Sequence, residues 1–138
     1  MRLYGLHSAE APQKDVKQVA DALLAPQRSD GGWGPNPYLK SDAYATGVAL
    51  TSLAASKALS VHDGAFQRGI NYLLSTQFPD GSWYVRSRSI KFQPYFESGF
   101  PFGHDQWIST AATAWAAQAI ALGLQPGSEA LSSSEKRQ

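Results

Sequence analysis

Arg68-Gly69-Ile70-Asn71-Tyr72-Leu73-Leu74-Ser75-Thr76-Gln77-Phe78-Pro79-Asp80-Gly81-Ser82-Trp83 is the stretch whose reading decides the fold. Its second half has an earlier counterpart, Gln27-Arg28-Ser29-Asp30-Gly31-Gly32-Trp33. Gln, Asp, Gly and Trp recur at one fixed offset of 50 residues. Self-similarity at a period of this size marks a repeat protein, in which each unit buries its apolar face on the next.

Each copy reads as the end of a helix. Phe66, Ile70, Tyr72, Leu73 and Leu74 fall at helical spacing ahead of Gln77. Pro79, Asp80 and Gly81 then stop the helix and form a turn. A glutamine at that point can donate its amide to the orphan carbonyls of the helix end. A tryptophan just past the turn can fold back and bury its ring over that end.

Arg68-Gly69, Tyr72-Leu73, Gln77, Gly81 and Trp83 resemble in full the QW motif of squalene and oxidosqualene cyclases: basic, small, aromatic and aliphatic positions, then Gln, Gly and Trp. The first copy keeps Leu23, Gln27, Gly31 and Trp33 and departs from the pattern at Gln18, Val19 and Ala22. The resemblance spans roughly Val16 to Leu122 and implies the αα-toroid architecture shared by squalene cyclases and protein prenyltransferases. In that family the motif is structural, so it points to architecture more than to chemistry.

Composition narrows the remaining classes. The 138 residues suit one domain, 43% hydrophobic and 17% charged, with a net charge of +1. That balance gives no argument for nucleic acid, and the basic residues cluster only at Arg86, Arg88 and Lys91. Cysteine is absent, which excludes disulfides and thiolate metal ligands. No stretch approaches the ~18 unbroken apolar residues of a membrane span, and the N-terminal stretch lacks a signal-type apolar run. A cytoplasmic chain is the default expectation.

Along the chain, residues 1–13 are expected to be an irregular lead-in containing Pro12. Residues 14–25 place Val16, Val19, Ala20, Leu23 and Leu24 on one face of an amphipathic helix. Residues 26–40 form the first motif turn. Residues 41–59 form a second helix, opened by Ser41 or Asp42 as N-cap and carrying one charge in its body, Lys57. Residues 64–76 form the third, with Arg68 and Asn71 on its polar side. The segment 84–104 is a long, aromatic-rich loop of the kind that tends to be functional. Residues 105–122 form a fourth, nearly chargeless helix that Gly123 can end. The polar tail 125–138 is expected to be disordered. The repeat domain is thus 14–124.

The weakly charged helices also repeat: Asp42, Tyr44 and Thr46 match Asp105, Trp107 and Ser109. A helix this poor in charge is usually surrounded by other helices. In the toroid family charged outer helices face solvent and apolar inner ones line a central cavity. The resemblance gives the first and third helices the outer role and the second and fourth the inner one. Two hairpins do not close the family's ring, so the chain is expected to be part of a longer array, or to complete itself by association.

Asp42 and Asp105 are the candidate catalytic residues. Ser41-Asp42-Ala43 followed by Thr46 is similar to the acid segment of oxidosqualene cyclases, in which the aspartate protonates the substrate. A carboxyl desolvated by an apolar cavity can stay protonated and serve as a general acid. Ala43 stands where that family has a cysteine, and the aspartate-rich run of the hopene cyclases is missing. The alternative is that both aspartates are helix N-caps. His104-Asp105 is a second possibility, as a base with its orienting carboxylate or as plain loop residues; His7 and His62 carry no signal. The expected substrate-binding aromatics are Tyr44, Trp107, Trp115, Phe96 and Phe100, whose rings could stabilise carbocations or simply pack. Arg86, Arg88 and Lys91 could meet an anionic group such as a diphosphate or form a solvated loop face. The expected structural motif residues are Gln27, Gly31, Trp33, Gln77, Gly81 and Trp83. No metal or cofactor is expected. The implied function is protonation-initiated cyclisation of a polyprenyl substrate, with a non-catalytic repeat module for a protein or apolar ligand as the alternative.

Overall fold

The computed structural model describes residues 2–90 and 95–124. Lys91, Phe92 and the polar tail therefore lie outside the described residues. All regular structure among the described residues is helical: α1 (Arg2–Ser8), α2 (Gln13–Leu24), α3 (Ala43–Ala55), α4 (Gly64–Thr76) and α5 (Gln106–Leu124), with a 3-10 turn at Gly103–Asp105 before α5. The fold is an all-α array of helical hairpins.

Helix chemistry sorts the helices into layers. In α2, Val16 and Ala20 are buried and the charged residues face out. In α4 the buried residues are Phe66, Gly69 and Leu73, one stripe at helical spacing. Leu74, expected on that stripe, is turned out and exposed, because it lies a quarter-turn beyond it. By contrast α3 has no polar face: Thr46, Leu50, Thr51 and Leu53 are all buried, in contact with α1, α4 and α5. The most extensive helix–helix contact is α3 with α5. It depends on Gly47, where a Cβ would come 2.7 Å from the carbonyl carbon of Trp115 and 2.8 Å from the amide nitrogen of Ala116.

The lead-in is a correction. Residues expected to be irregular form α1, which buries Leu3 and packs Leu6 against the core. Seven residues give the stripe a single repeat, too little for a period to show in the sequence. Pro12 separates α1 from α2 and stands as the N-cap of α2 with extended backbone. α1 packs against α2 and α3.

The two motif turns superimpose in their hydrogen bonds, with the roles of the residues changed from expectation. The tryptophan, not the glutamine, takes the orphan carbonyl. Trp33 donates its indole N–H to the Leu23 carbonyl at 2.7 Å, and Trp83 donates to the Leu73 carbonyl at 2.8 Å. The glutamine amides cross the turn instead, to Gly31 O at 2.9 Å and Gly81 O at 3.0 Å. Asp30 and Asp80 each accept the backbone N–H two residues on. Hydrogen bonds from Ser82 hold the Asp80 carboxyl below the usual carboxylate range. Gly31 and Gly81 share a φ of +86°, a region that favours glycine.

The first turn is also stitched to the following hairpin. Gln27 also donates to Ala65 O at 2.8 Å and accepts from Arg68 Nη2 at 2.9 Å, both on α4. Trp33 packs over Gly69, where a Cβ would sit 3.0 Å from its ring and 2.8 Å from Leu50. The small position of the motif is therefore the seat of the preceding tryptophan. The two glutamines should differ accordingly. Gln27→Ala is expected to cost about 1–3 kcal/mol, and Gln77→Ala, exposed and bonded only within its own turn, about 0.5–1 kcal/mol. Urea midpoints of the two variants check this; equal shifts would mean the inter-repeat bonds contribute nothing.

Helix ends differ from the sequence reading in two places. The second helix spans Ala43–Ala55 and ends at Ser56. Lys57 takes the left-handed conformation usual for glycine, its N–H bonding Ala54 O and the Ala58 N–H bonding Leu53 O, which closes a Schellman motif. At the other end of the chain, Gly123 does not stop α5. It lies inside that helix, where a Cβ would meet Phe66 at 3.2 Å.

Candidate functional site

The site forms where the long loop after Trp83 crosses the N-terminal ends of α3 and α5. Hydroxyls on α3 and α5 hold the chain at and after each motif tryptophan. Thr46 Oγ1 accepts the Trp33 N–H at 2.9 Å in the first repeat. In the second, Thr113 accepts the Trp83 N–H at 3.0 Å and Ser109 accepts the Val85 N–H at 3.0 Å.

Past Val85 the loop is tied to the start of α5. Asp105 accepts the Ser87 N–H at 2.8 Å and the Tyr84 hydroxyl at 2.8 Å. The Asp105 bond raises the Tyr84 hydroxyl above its usual range. Gln106, fully buried, accepts the Ser98 N–H at 2.6 Å and the Ser98 hydroxyl, and donates to Phe96 O at 2.9 Å. Asp105 lies in the 3-10 turn ahead of α5 and anchors the loop; as a simple counterpart of Asp42 it fails, because the longer loop gives its carboxylate other donors. His104 is exposed and its ring meets Tyr95, centroids 4.6 Å apart.

Between this loop and α3 lies an open groove of about 500 Å³. Asp42, Tyr44, Val85, Arg86, Arg88, Trp107, Ile108 and Ala111 are among the residues that line it. Three of the residues singled out in the sequence, Asp42, Tyr44 and Trp107, thus meet at one place. Phe96 stacks on Trp107 at 6.2 Å from outside the groove lining. Phe100 belongs to a separate cluster with Phe102, Phe78 and Tyr84. Trp115 is half-buried beside Gly47 at the α3–α5 contact.

Asp42 is the N-cap of α3: its Oδ1 accepts the Ala45 N–H at 2.8 Å. Its Oδ2 is shielded from solvent and makes no hydrogen bond. Arg88 Nη1 stands 3.5 Å from that oxygen as an ion-pair partner, Asp42 being 12% exposed and Arg88 43%. Nearby, burial pushes the Tyr72 hydroxyl up to about 12, and the Asp30 and Asp42 carboxylates add to the rise. Tyr72 therefore stays neutral across the physiological range. The pairing of Arg88 with Asp42 had no signal in the sequence, since loop and helix positions 46 residues apart follow no common period. Among the described residues no group of His, Asp or Glu could hold a metal ion, and no helix is long and apolar enough to cross a membrane.

Comparison with known proteins finds similarity to two synthases. Alpha-onocerin synthase LCD of Lycopodium clavatum is 26% identical over 130 residues, 94% of this chain and 16% of that protein. Drimenyl diphosphate synthase of Streptantibioticus cattleyicolor is 34% identical over 84 residues, 61% of this chain and 14% of that protein. The chain has a distant, terpene-cyclase-like relationship to these proteins. The match spans about one-sixth of the length of the first relative and about one-seventh of the second. No family model and no solved structure matches it.

Proposed function

We propose that this chain is a repeat segment of a terpene-cyclase-like protein and that the groove over α3 receives an isoprenoid-type chain. The observation that carries this reading is the meeting of Asp42, Tyr44 and Trp107 at one mostly apolar groove, in a chain whose distant relatives are synthases of this kind. Asp42 is the acid of the reading, protonating a terminal alkene, and the rings of Tyr44 and Trp107 face the cation that follows. Donation from Oδ2 requires Arg88 to move off it. Further repeats fit the exposed face of α5, where Trp107, Thr110, Ala114, Ala117, Ala121 and Leu124 lie uncovered and uncharged.

The second reading, a non-catalytic repeat module, is favoured by one feature: Asp42 is already occupied as cap and ion-pair partner. Incubation with squalene and with shorter polyprenyl substrates, followed by product analysis, separates the two. In the enzyme reading Asp42→Asn abolishes cyclised product while melting stays unchanged, because Asn caps as well as Asp. In the module reading neither protein forms product, and Asp42→Ala loses about 0.5–2 kcal/mol of stability. Cyclisation that survives in Asp42→Asn removes Asp42 as the acid.

A further inference from the structure

The stretch Arg86-Ser87-Arg88-Ser89-Ile90 carries no helix or strand and sets hydroxyls among cations. Between Asp80 and Glu97 the sequence has Arg86, Arg88 and Lys91 and no acidic residue. Ser89 is exposed, as are Arg86 and Arg88, and Ile90 after it is 83% exposed. The Ser89 hydroxyl shares a hydrogen bond of 3.0 Å with the Ser87 hydroxyl, an exposed contact that water can replace. Ser87 is the poorer place for an added anion. It is half-buried, and its backbone N–H is bound to the Asp105 carboxylate, whose charge opposes a second one there. Arg88 stands 3.5 Å from Asp42 Oδ2 with 43% of its side chain exposed, a contact of the kind that contributes little.

We propose that Ser89 is a phosphorylation site for a serine kinase that reads arginines, and that the attached phosphate takes Arg88 from Asp42. A kinase of this class offers carboxylates to the guanidiniums one and three residues before its target, and such pairs form charge-assisted hydrogen bonds. In the transfer, Ser89 Oγ bonds to the γ-phosphorus of ATP and the bond from that phosphorus to the bridging oxygen of ADP breaks. The hydroxyl proton passes to the catalytic carboxylate of the kinase. The product carries about 1.5 to 2 negative charges and strong acceptor oxygens. Arg88 is its chain neighbour, and a phosphate matches the guanidinium fork better than one carboxylate oxygen at 3.5 Å does. Asp42 keeps its place as helix cap through Oδ1. Ser89 lines the same groove as Arg86, Arg88 and Asp42, so the modification removes the surplus of positive charge there. The inference goes beyond the isoprenoid reading of that groove and does not depend on it.

The test is incubation of the chain with magnesium ATP and a basophilic serine kinase, followed by fragment mass spectrometry, with circular dichroism confirming the fold of each variant. One phosphate on Ser89 is expected, lost in Ser89→Ala and kept in Ser87→Ala. A phosphate that lands on another residue, or none at all, overturns the proposal. Arg86→Gln and Arg88→Gln are each expected to slow incorporation about tenfold; an equal loss in Lys17→Gln on α2 overturns it, since overall charge would then be what is read. Asp42→Asn keeps the cap and gives up its hold on Arg88, so a rate about two- to threefold higher is expected. Phosphorus NMR of the phosphorylated chain checks the second half of the proposal. The second phosphoserine pKa is expected below its usual value of about 6 and to return toward it in Arg88→Gln; equal values in the two proteins show that the phosphate does not take Arg88. Failure to cyclise a polyprenyl substrate leaves this inference standing, and failure of Ser89 to accept phosphate leaves the isoprenoid reading standing.

Discussion

Trp83→Ala is expected to destabilise the chain by about 3–5 kcal/mol, the range for deleting a buried large aromatic ring. Trp83 is 2% exposed, and three attachments converge on it. Its ring covers the end of α4, its indole N–H satisfies the Leu73 carbonyl, and its backbone N–H is held by Thr113 on α5. Removing the side chain opens a cavity and also orphans a helix-end carbonyl. A domain of this size holds about 5–15 kcal/mol in all, so the loss takes a large share of it. Trp83→Phe separates the two contributions, because the ring is largely kept and the donor lost; about 1–2 kcal/mol is expected. Urea unfolding followed by circular dichroism measures both. A Trp83→Ala midpoint close to the wild type would show that the turn is not what joins α4 to α5.

Gly31→Ala and Gly81→Ala are expected to differ by more than their shared conformation predicts. Both glycines have a φ of +86°, where an L side chain costs about 1–2 kcal/mol. Around Gly81 a Cβ finds only the distant Gln77 amide at 3.9 Å, so that conformational cost is the whole effect. At Gly31 the Cβ would lie 2.4 Å from the carbonyl oxygen of Arg68 and 2.9 Å from its carbonyl carbon. Backbone cannot rotate aside as a flexible side chain can, so α4 must move away from the first turn. That displacement adds about 1–3 kcal/mol of overpacking and strains the Gln27 bonds to Ala65 and Arg68. Equal losses in the two variants would mean that α4 is not seated on the first turn.

Much of this architecture was legible in the chain itself. The matching glutamines, glycines and tryptophans located two equivalent turns, and their hydrogen bonds agree nearly bond for bond. The first chargeless stretch was legible as a buried helix, since nothing in α3 requires water; the second, α5, leaves one face exposed among the described residues. The span of α4 followed from apolar spacing, and cap chemistry narrowed the N-cap of α3 to Ser41 or Asp42, of which the structure has Asp42. These are local properties, set within one or two helical turns of the residues concerned.

What failed was of another kind. The helix in α1 was missed because its stripe is one repeat long. The roles of glutamine and tryptophan were exchanged because both can donate to a carbonyl, and only the path of the chain decides which donor reaches it. Phe96, Phe100 and Trp115 looked alike as aromatics near inner helices, yet they lie in three different surroundings. Asp42 and Asp105 share a motif, but the longer second loop returns Ser87 and Tyr84 to Asp105, while Arg88 reaches back to Asp42. The sequence by itself determined the repeat, the helical class and the two turns, because periodicity and turn chemistry act over short distances. The tertiary structure alone decided which residues share the groove and which charges face each other there, because those contacts depend on where a long loop crosses two helix ends.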